Sequence, residues 1–178
     1  MTETHTFEAF MQAYQDMVFT TAMRLLANET DAEDVAQEVF MKAYSRFDEL
    51  SGNPAVGGWL KTVTRNLCLN HLTRYRARWK MFTDIYSEDE ENSSFVENLS
   101  DPRDESKTFG ESDRYQILEE ALQKLPVSQR VPLVLFHFEE MSYEEIARKL
   151  GVSLSKVKTD IHRGRETLYH QMKPECCS

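Results

Sequence analysis

The sequence predicts an all-α protein built as two small helical domains joined by an acidic, flexible linker. Two observations carry this reading. Apolar residues recur at three- and four-residue steps through most of the 178-residue chain, and no segment alternates with the period of two that marks a strand. Between Asp84 and Asp113, eleven acids stand against two bases, the whole of the net charge of -9, and apolar residues are sparse. Such a stretch cannot bury enough surface to order itself, so it separates two folded units.

In the first domain, residues 1–82, Phe7, Phe10, Met11, Tyr14, Val18, Leu25 and Leu26 mark one amphipathic helix over 7–27. Thr30 with Glu33 predicts a capping box that opens a second helix. Its apolar stripe runs through Val35, Ala36, Val39, Phe40, Ala43, Tyr44 and Phe47. Ser51-Gly52-Asn53-Pro54 and Gly57-Gly58 punctuate the passage to a third helix, which starts near Val56 or Trp59 and runs to Arg78. The linker occupies 83–112. In the second domain, residues 113–178, Ile117, Leu118, Ala121, Leu122 and Leu125 mark a helix that stops at Pro126. Another restarts near Ser128 and carries Val131, Val134, Leu135 and Phe138. Ser142 with Glu145 predicts a second capping box, Ile146, Ala147 and Leu150 form an apolar face, and Gly151 makes a turn. Ser153 caps the last helix, through Met172.

The segment from Trp59 to Phe82 holds six Lys or Arg and no acid. It also carries Trp59, Asn66, Asn70, His71, Tyr75 and Trp79, flat or amide side chains that stack on or hydrogen-bond to exposed bases. Cations and aromatics together suit single-stranded nucleic acid. Taken alone, the segment fits equally a helix with a snorkelling basic edge. The overall acidity does not oppose nucleic-acid binding, because charge acts over a Debye length of about 8–10 Å.

A second motif lies in Met141 to Leu168. Ala147 is small where two helices approach, Gly151 supplies the turn, Val152 plugs the corner, and Val157, Ile161 and Leu168 anchor the second helix. These are the features of a DNA-binding helix-turn-helix. Ser155, Lys156, Lys158, Thr159, His162 and Arg163 fall on outward positions, suited to phosphates and base edges in a major groove. An ordinary antiparallel helix pair is the alternative.

Three cysteines, Cys68, Cys176 and Cys177, form no disulfide framework, and the polar start lacks an apolar signal core, so a reduced, cytoplasmic location is expected. No apolar run reaches the roughly 20 residues that span a bilayer. No residues have the spacing of a catalytic triad, a metal site or a nucleotide loop. The expectation is a protein without catalytic residues, metal or cofactors, with Cys68 in the core and Cys176-Cys177 in a frayed tail.

Three blocks closely resemble bacterial RNA polymerase sigma factors of the extracytoplasmic-function (ECF) group: Asp31 to Tyr44, Trp59 to Arg74, and Leu125 to Arg165. They occur in the family's order and spacing. The resemblance implies a factor that binds core polymerase through its beta and beta-prime subunits and recognises the minus-10 and minus-35 promoter elements. It further implies a stress- or signal-responsive regulon and a covering anti-sigma factor. Such factors act as monomers in holoenzyme, at the nucleoid.

By position, the resemblance assigns Asp34, Gln37, Glu38 and Lys42 to the clamp of the largest subunit. It assigns Asn66 to a flipped minus-10 base, with Trp59 and Asn70 beside it and Lys61, Arg65, Arg74 and Arg76 on phosphates. Lys158, Thr159, His162 and Arg163 match minus-35 contacts. Trp59 fits promoter contact or core equally.

The chain departs from the family pattern in three places. Val56-Gly57-Gly58 replaces a Phe and often a basic residue before the Trp, and Asn70 replaces a frequent Asp. Asp160 stands where a basic residue is common, which predicts repulsion from phosphates unless it accepts from a cytosine amino group. The resemblance implies that the acidic linker threads the polymerase's active-site and RNA-exit channels, where its charge imitates RNA; a solvated tether that keeps the domains apart is the alternative. A helix-turn-helix regulator acting without replacing sigma is the competing functional reading; it leaves the basic aromatic segment unexplained.

Overall fold

The chain divides into two units, Met1–Asp89 and Glu90–Ser178. The structure, a computed structural model, describes the backbone of residues 2–83 and 111–172 and the side chains of residues 6–74 and 113–172. Residues 84–110, which hold most of the expected acidic linker, the side chains of Tyr75, Arg76 and Trp79, and Cys176 and Cys177 lie outside the described residues. Eight helices and no strand occur among the described residues.

The first unit contains α1 (Thr2–Leu26), α2 (Glu29–Ser45), a single turn α3 (Phe47–Leu50) and α4 (Val56–Thr83). Helices α1, α2 and α4 each pack against the other two. Val18, Ala22, Leu25, Val39, Ala43, Leu60 and Cys68 meet between them, all fully buried. Two buried hydroxyls are satisfied within their own helices: Thr21 Oγ1 donates to Met17 O at 2.8 Å and Thr64 Oγ1 to Leu60 O at 2.7 Å.

The start and the end of α2 both differ from what the sequence predicts. The N-cap of α2 is Asn28, whose Oδ1 accepts the Asp31 N–H at 3.0 Å; Thr30 lies inside the helix, so the Thr30–Glu33 box does not form. Ala27 leaves α1 with φ 52 and Asn28 is already extended, so α2 begins immediately. The apolar stripe also does not continue to Phe47. Helix α2 ends at Ser45, Arg46 adopts φ -122 and starts α3, and Tyr44 is 64% exposed rather than buried. The break swings Phe47 edge-on to Phe7 at 5.1 Å and Phe10 at 5.5 Å, while Tyr44 meets Phe7 at 5.0 Å. Beyond α3, Asn53 Oδ1 accepts the Ala55 N–H at 2.9 Å in a side-chain turn that launches α4.

The second unit contains α5 (Glu111–Lys124), α6 (Val127–His137), α7 (Tyr143–Leu150) and α8 (Leu154–Met172). Helix α8 packs on the other three. Helix α6 is buried continuously from Arg130 to Leu135. Gly164 of α8 permits the closest approach: a Cβ there would lie 2.9 Å from Leu133 Cδ1 and 3.3 Å from Gln129 O.

Arg130 is a core residue the sequence pattern does not reveal. It is 4% exposed, and its Nη1 donates to Leu125 O at 2.9 Å, satisfying a carbonyl just past the end of α5. Burial lowers its pKa from 12.5 to about 10, so it remains charged at neutral pH.

The helix-turn-helix corner follows the sequence reading. Ser142 Oγ accepts the Glu145 N–H at 3.2 Å, and Glu145 Oε2 accepts the Ser142 N–H at 3.0 Å. Gly151 takes φ 66, the left-handed conformation a helix end requires, and the Val152 N–H returns to Ala147 O at 3.1 Å. Ser153 Oγ accepts the Lys156 N–H at 3.2 Å and opens α8.

Candidate nucleic-acid interface

Helix α4 separates a core row from a polar row by its own periodicity. Val56, Leu60, Thr64 and Cys68, spaced by four, are buried against α1 and α2. Trp59, Asn66 and Asn70, spaced by seven and four, form another row; Trp59 and Asn66 are half-buried and Asn70 is exposed. Trp59 therefore stands outside the fully buried row, Cys68 lies in the core as the sequence predicts, and Val63 and Leu67 are half-buried. Lys61 and Arg65 share a neighbouring row, half-buried, and Arg74 is exposed. The side chain of Arg76 lies outside the described residues.

His71 does not join the Trp59 row. Its Nε2 lies 3.2 Å from Asp31 Oδ2, linking the middle of α4 to the first turn of α2. The imidazole counted in the sequence among base-contacting groups is thus engaged with a carboxylate inside its own unit.

On α2, Asp34, Gln37, Glu38 and Lys42 all project to solvent. Glu38 and Lys42 approach at 4.0 Å, with both side chains over half exposed, a pair worth well under about 1 kcal/mol. Between them in sequence, Met41 is 73% exposed. Sequence reasoning missed it, although a Met lying off the Val35–Val39 stripe was the signal. It is a flexible apolar side chain exposed among charged neighbours.

On α8, Ser155, Lys156, Lys158, Thr159, His162 and Arg163 are all exposed. Asp160 is the correction: it is 8% exposed, and its Oδ2 lies 3.0 Å from Lys156 Nζ. Its carboxylate is turned to the inner side of the helix, so neither repulsion from phosphate nor acceptance from cytosine describes its role. His162 Nε2 lies 3.4 Å from Glu166 Oε1. Thr159 Oγ1 donates to Ser155 O at 2.9 Å, which fixes the hydroxyl and leaves its methyl free to meet an apolar base edge.

Among the described residues no helix is long and apolar enough to cross a membrane, and no three His, Cys, Asp or Glu side chains are grouped to hold a metal.

Two family models match: sigma-70 region 2 over residues 10–78, and sigma-70 region 4 over residues 115–168. The RNA polymerase sigma factor YlaC of Bacillus subtilis is 33% identical over 168 residues, covering 93% of this chain and 90% of that protein. The ECF RNA polymerase sigma factor SigW of the same organism is 29% identical over 170 residues, covering 94% and 89%. A solved structure of the sigma factor RpoE with the anti-sigma factor NepR from Bartonella quintana shares the fold, with a TM-score of 0.51 and 23% identity over 96% of this chain and 98% of that one. The region-2 match contains the α4 rows and the α2 face, and the region-4 match contains the helix-turn-helix. The chain belongs to the ECF group of the sigma-70 family of bacterial RNA polymerase sigma factors, and it functions as a sigma factor.

Proposed function

We propose that this sigma factor divides its work among three faces. The α2 face of Asp34, Gln37, Glu38, Met41 and Lys42 docks on the beta-prime subunit of core polymerase, with further contact to beta. The Trp59–Asn66–Asn70 row of α4 takes the non-template strand of the minus-10 element, and Asn66 reads a flipped base through its amide. Lys61, Arg65, Arg74 and Arg76 hold the adjoining phosphates. The exposed face of α8 enters the major groove at the minus-35 element with Ser155, Lys158, Thr159, His162 and Arg163; Lys156, expected on the same face, is instead taken up by its pairing with Asp160. The domains would run 1–82 and 113–178, with 83–112 as the linker.

One observation carries this reading: an acid-free helix presents a tryptophan and two amides in a single row beside cations. Extruding a base costs a few kcal/mol, which stacking, amide hydrogen bonds and phosphate contacts together offset. An ordinary helix-turn-helix regulator has no need of such a row. In this reading the protein performs no chemistry itself; the polymerase supplies it. Because its structural relative is bound to an anti-sigma factor, we extend the proposal to an anti-sigma partner that masks one or more of these faces, and to action in the cytoplasm.

The test is to mix the protein with sigma-free core polymerase and a library of promoter fragments, then sequence the transcripts that depend on it. Start sites preceded by two shared, fixed-spacing elements are expected. Duplex binding by the protein alone, with no dependent transcripts, would overturn the proposal.

A further inference from the structure

The exposed basic side chains of α8 are not all unpaired. Of Lys156, Lys158, His162 and Arg163, all exposed, two are paired along the helix: Lys156 with Asp160 at 3.0 Å and His162 with Glu166 at 3.4 Å. Lys158 and Arg163 have no carboxylate within salt-bridge distance among the described residues.

The two pairs differ in kind. The side chains of His162 and Glu166 are 69% and 60% exposed, so water and salt screen them. The Asp160 side chain is 11% exposed, whereas that of Lys156 is 47% exposed. Withdrawing a carboxylate so far from water is costly unless it is paired, and the Lys156 ammonium pairs with it. Lys156 in turn occupies the first turn of α8, with its N–H on the Ser153 cap, where the helix dipole disfavours positive charge. Each group relieves the other's unfavourable position.

We infer that Asp160 is a specificity-determining positioning residue: it holds the Lys156 ammonium against the helix and subtracts one cation from the surface offered to DNA. This rests on the proposed entry of α8 into the minus-35 groove. Phosphate attraction is blind to sequence, whereas base-edge contacts are not. With Lys156 retained by Asp160, the duplex meets Lys158 and Arg163 separated by the polar groups of Thr159 and His162. Affinity for arbitrary duplex falls, and the base edges decide.

The test uses full-length protein assembled with core polymerase and two probes: a promoter duplex recovered by the transcript experiment and a random-sequence duplex of equal length. Binding is measured from about 0.05 to about 0.2 M salt, where each phosphate contact formed releases condensed counterion and adds about 0.9 to the steepness with which log K falls against log salt. Asp160→Asn frees Lys156, so the slope should steepen by about 0.9, equivalent to about a three- to four-fold larger loss of binding across that range. The preference for promoter over random duplex should fall.

Lys156→Gln keeps a hydrogen-bond donor to Asp160 and should leave the slope unchanged, while Lys158→Ala should flatten it. Combining Lys156→Gln with Asp160→Asn should restore the original slope. An unchanged or shallower slope in Asp160→Asn overturns the inference, as does flattening by Lys156→Gln alone, which also decides the matter should Asp160→Asn fail to fold. If the unaltered protein itself shows no promoter preference, the groove reading of α8 falls and this inference with it. If it shows the preference and only the variants misbehave, this inference alone falls.

Discussion

Arg165 Nε donates to His137 Nε2 across 3.0 Å, joining the middle of α8 to the last residue of α6. The guanidinium also lies over the Phe136 ring at 5.6 Å, and Phe136 stacks on Tyr143 at the start of α7. One exposed arginine thereby connects three helices of the second unit. The contact requires a neutral imidazole, because a protonated Nε2 cannot accept.

Burial, and secondarily the Arg165 charge, lower the His137 pKa below its ordinary 6.5. The folded state therefore favours the neutral form, and the stabilisation is fully present above about pH 6.5. It declines as pH falls through 6.5 and on through the lower folded value. The group is largely exposed, so the effect is well under about 1 kcal/mol. A proton NMR titration should give His137 a midpoint below 6.5, and Arg165→Gln should raise it; a midpoint at or above the ordinary value would contradict the geometry.

Gly164→Ala should destabilise the second unit. The added Cβ would enter a buried space 2.9 Å from Leu133 Cδ1 and 3.3 Å from the Gln129 carbonyl. Overpacking costs about 1–3 kcal/mol, against a gain of about 1 kcal/mol from removing glycine from a helix interior. Urea denaturation should show a net loss of about 1 kcal/mol, whereas Ser155→Ala on the exposed face should be nearly neutral.

Asn66→Ala should reduce open-complex formation by about ten-fold, the loss of a side-chain contact worth about 1–2 kcal/mol, while leaving core binding intact. Permanganate reactivity of the minus-10 strand, read beside a core-association assay, separates the two. Equal open-complex yield would remove Asn66 from the proposed role.

Glu38→Lys should weaken association with core polymerase several-fold while preserving the fold, because Glu38 is exposed and its pairing with Lys42 is weak. Met41→Asp should weaken it further, since it places a carboxylate on an apolar contact. Unaltered core affinity in both variants would dissociate this face from docking.

Where local spacing governs, the structure agrees with the sequence. The Ser142–Glu145 capping box, the left-handed Gly151 and the buried Cys68 are each found where the pattern places them. Competing local signals were less legible. Asn28 and Thr30 are both good caps, and Asn28 prevails because α1 ends at Leu26 and turns through Ala27, leaving Thr30 already inside the next helix. Tyr44 continues an apolar stripe by spacing, yet the break at Arg46 leaves it exposed.

The order of helices, the corner of the helix-turn-helix and the concentration of positive charge in α4 were determined by the sequence itself, because each depends on residues within a few turns of one another. The destinations of polar and charged groups were decided by tertiary structure. Arg130 reads as an ordinary helix-surface cation but is buried on the Leu125 carbonyl. His71 reads as a base-contacting ring but faces Asp31. The physical reason is the same in both cases: a polar group settles on the partner that satisfies it at least desolvation cost, and which partner is within reach depends on how the helices pack.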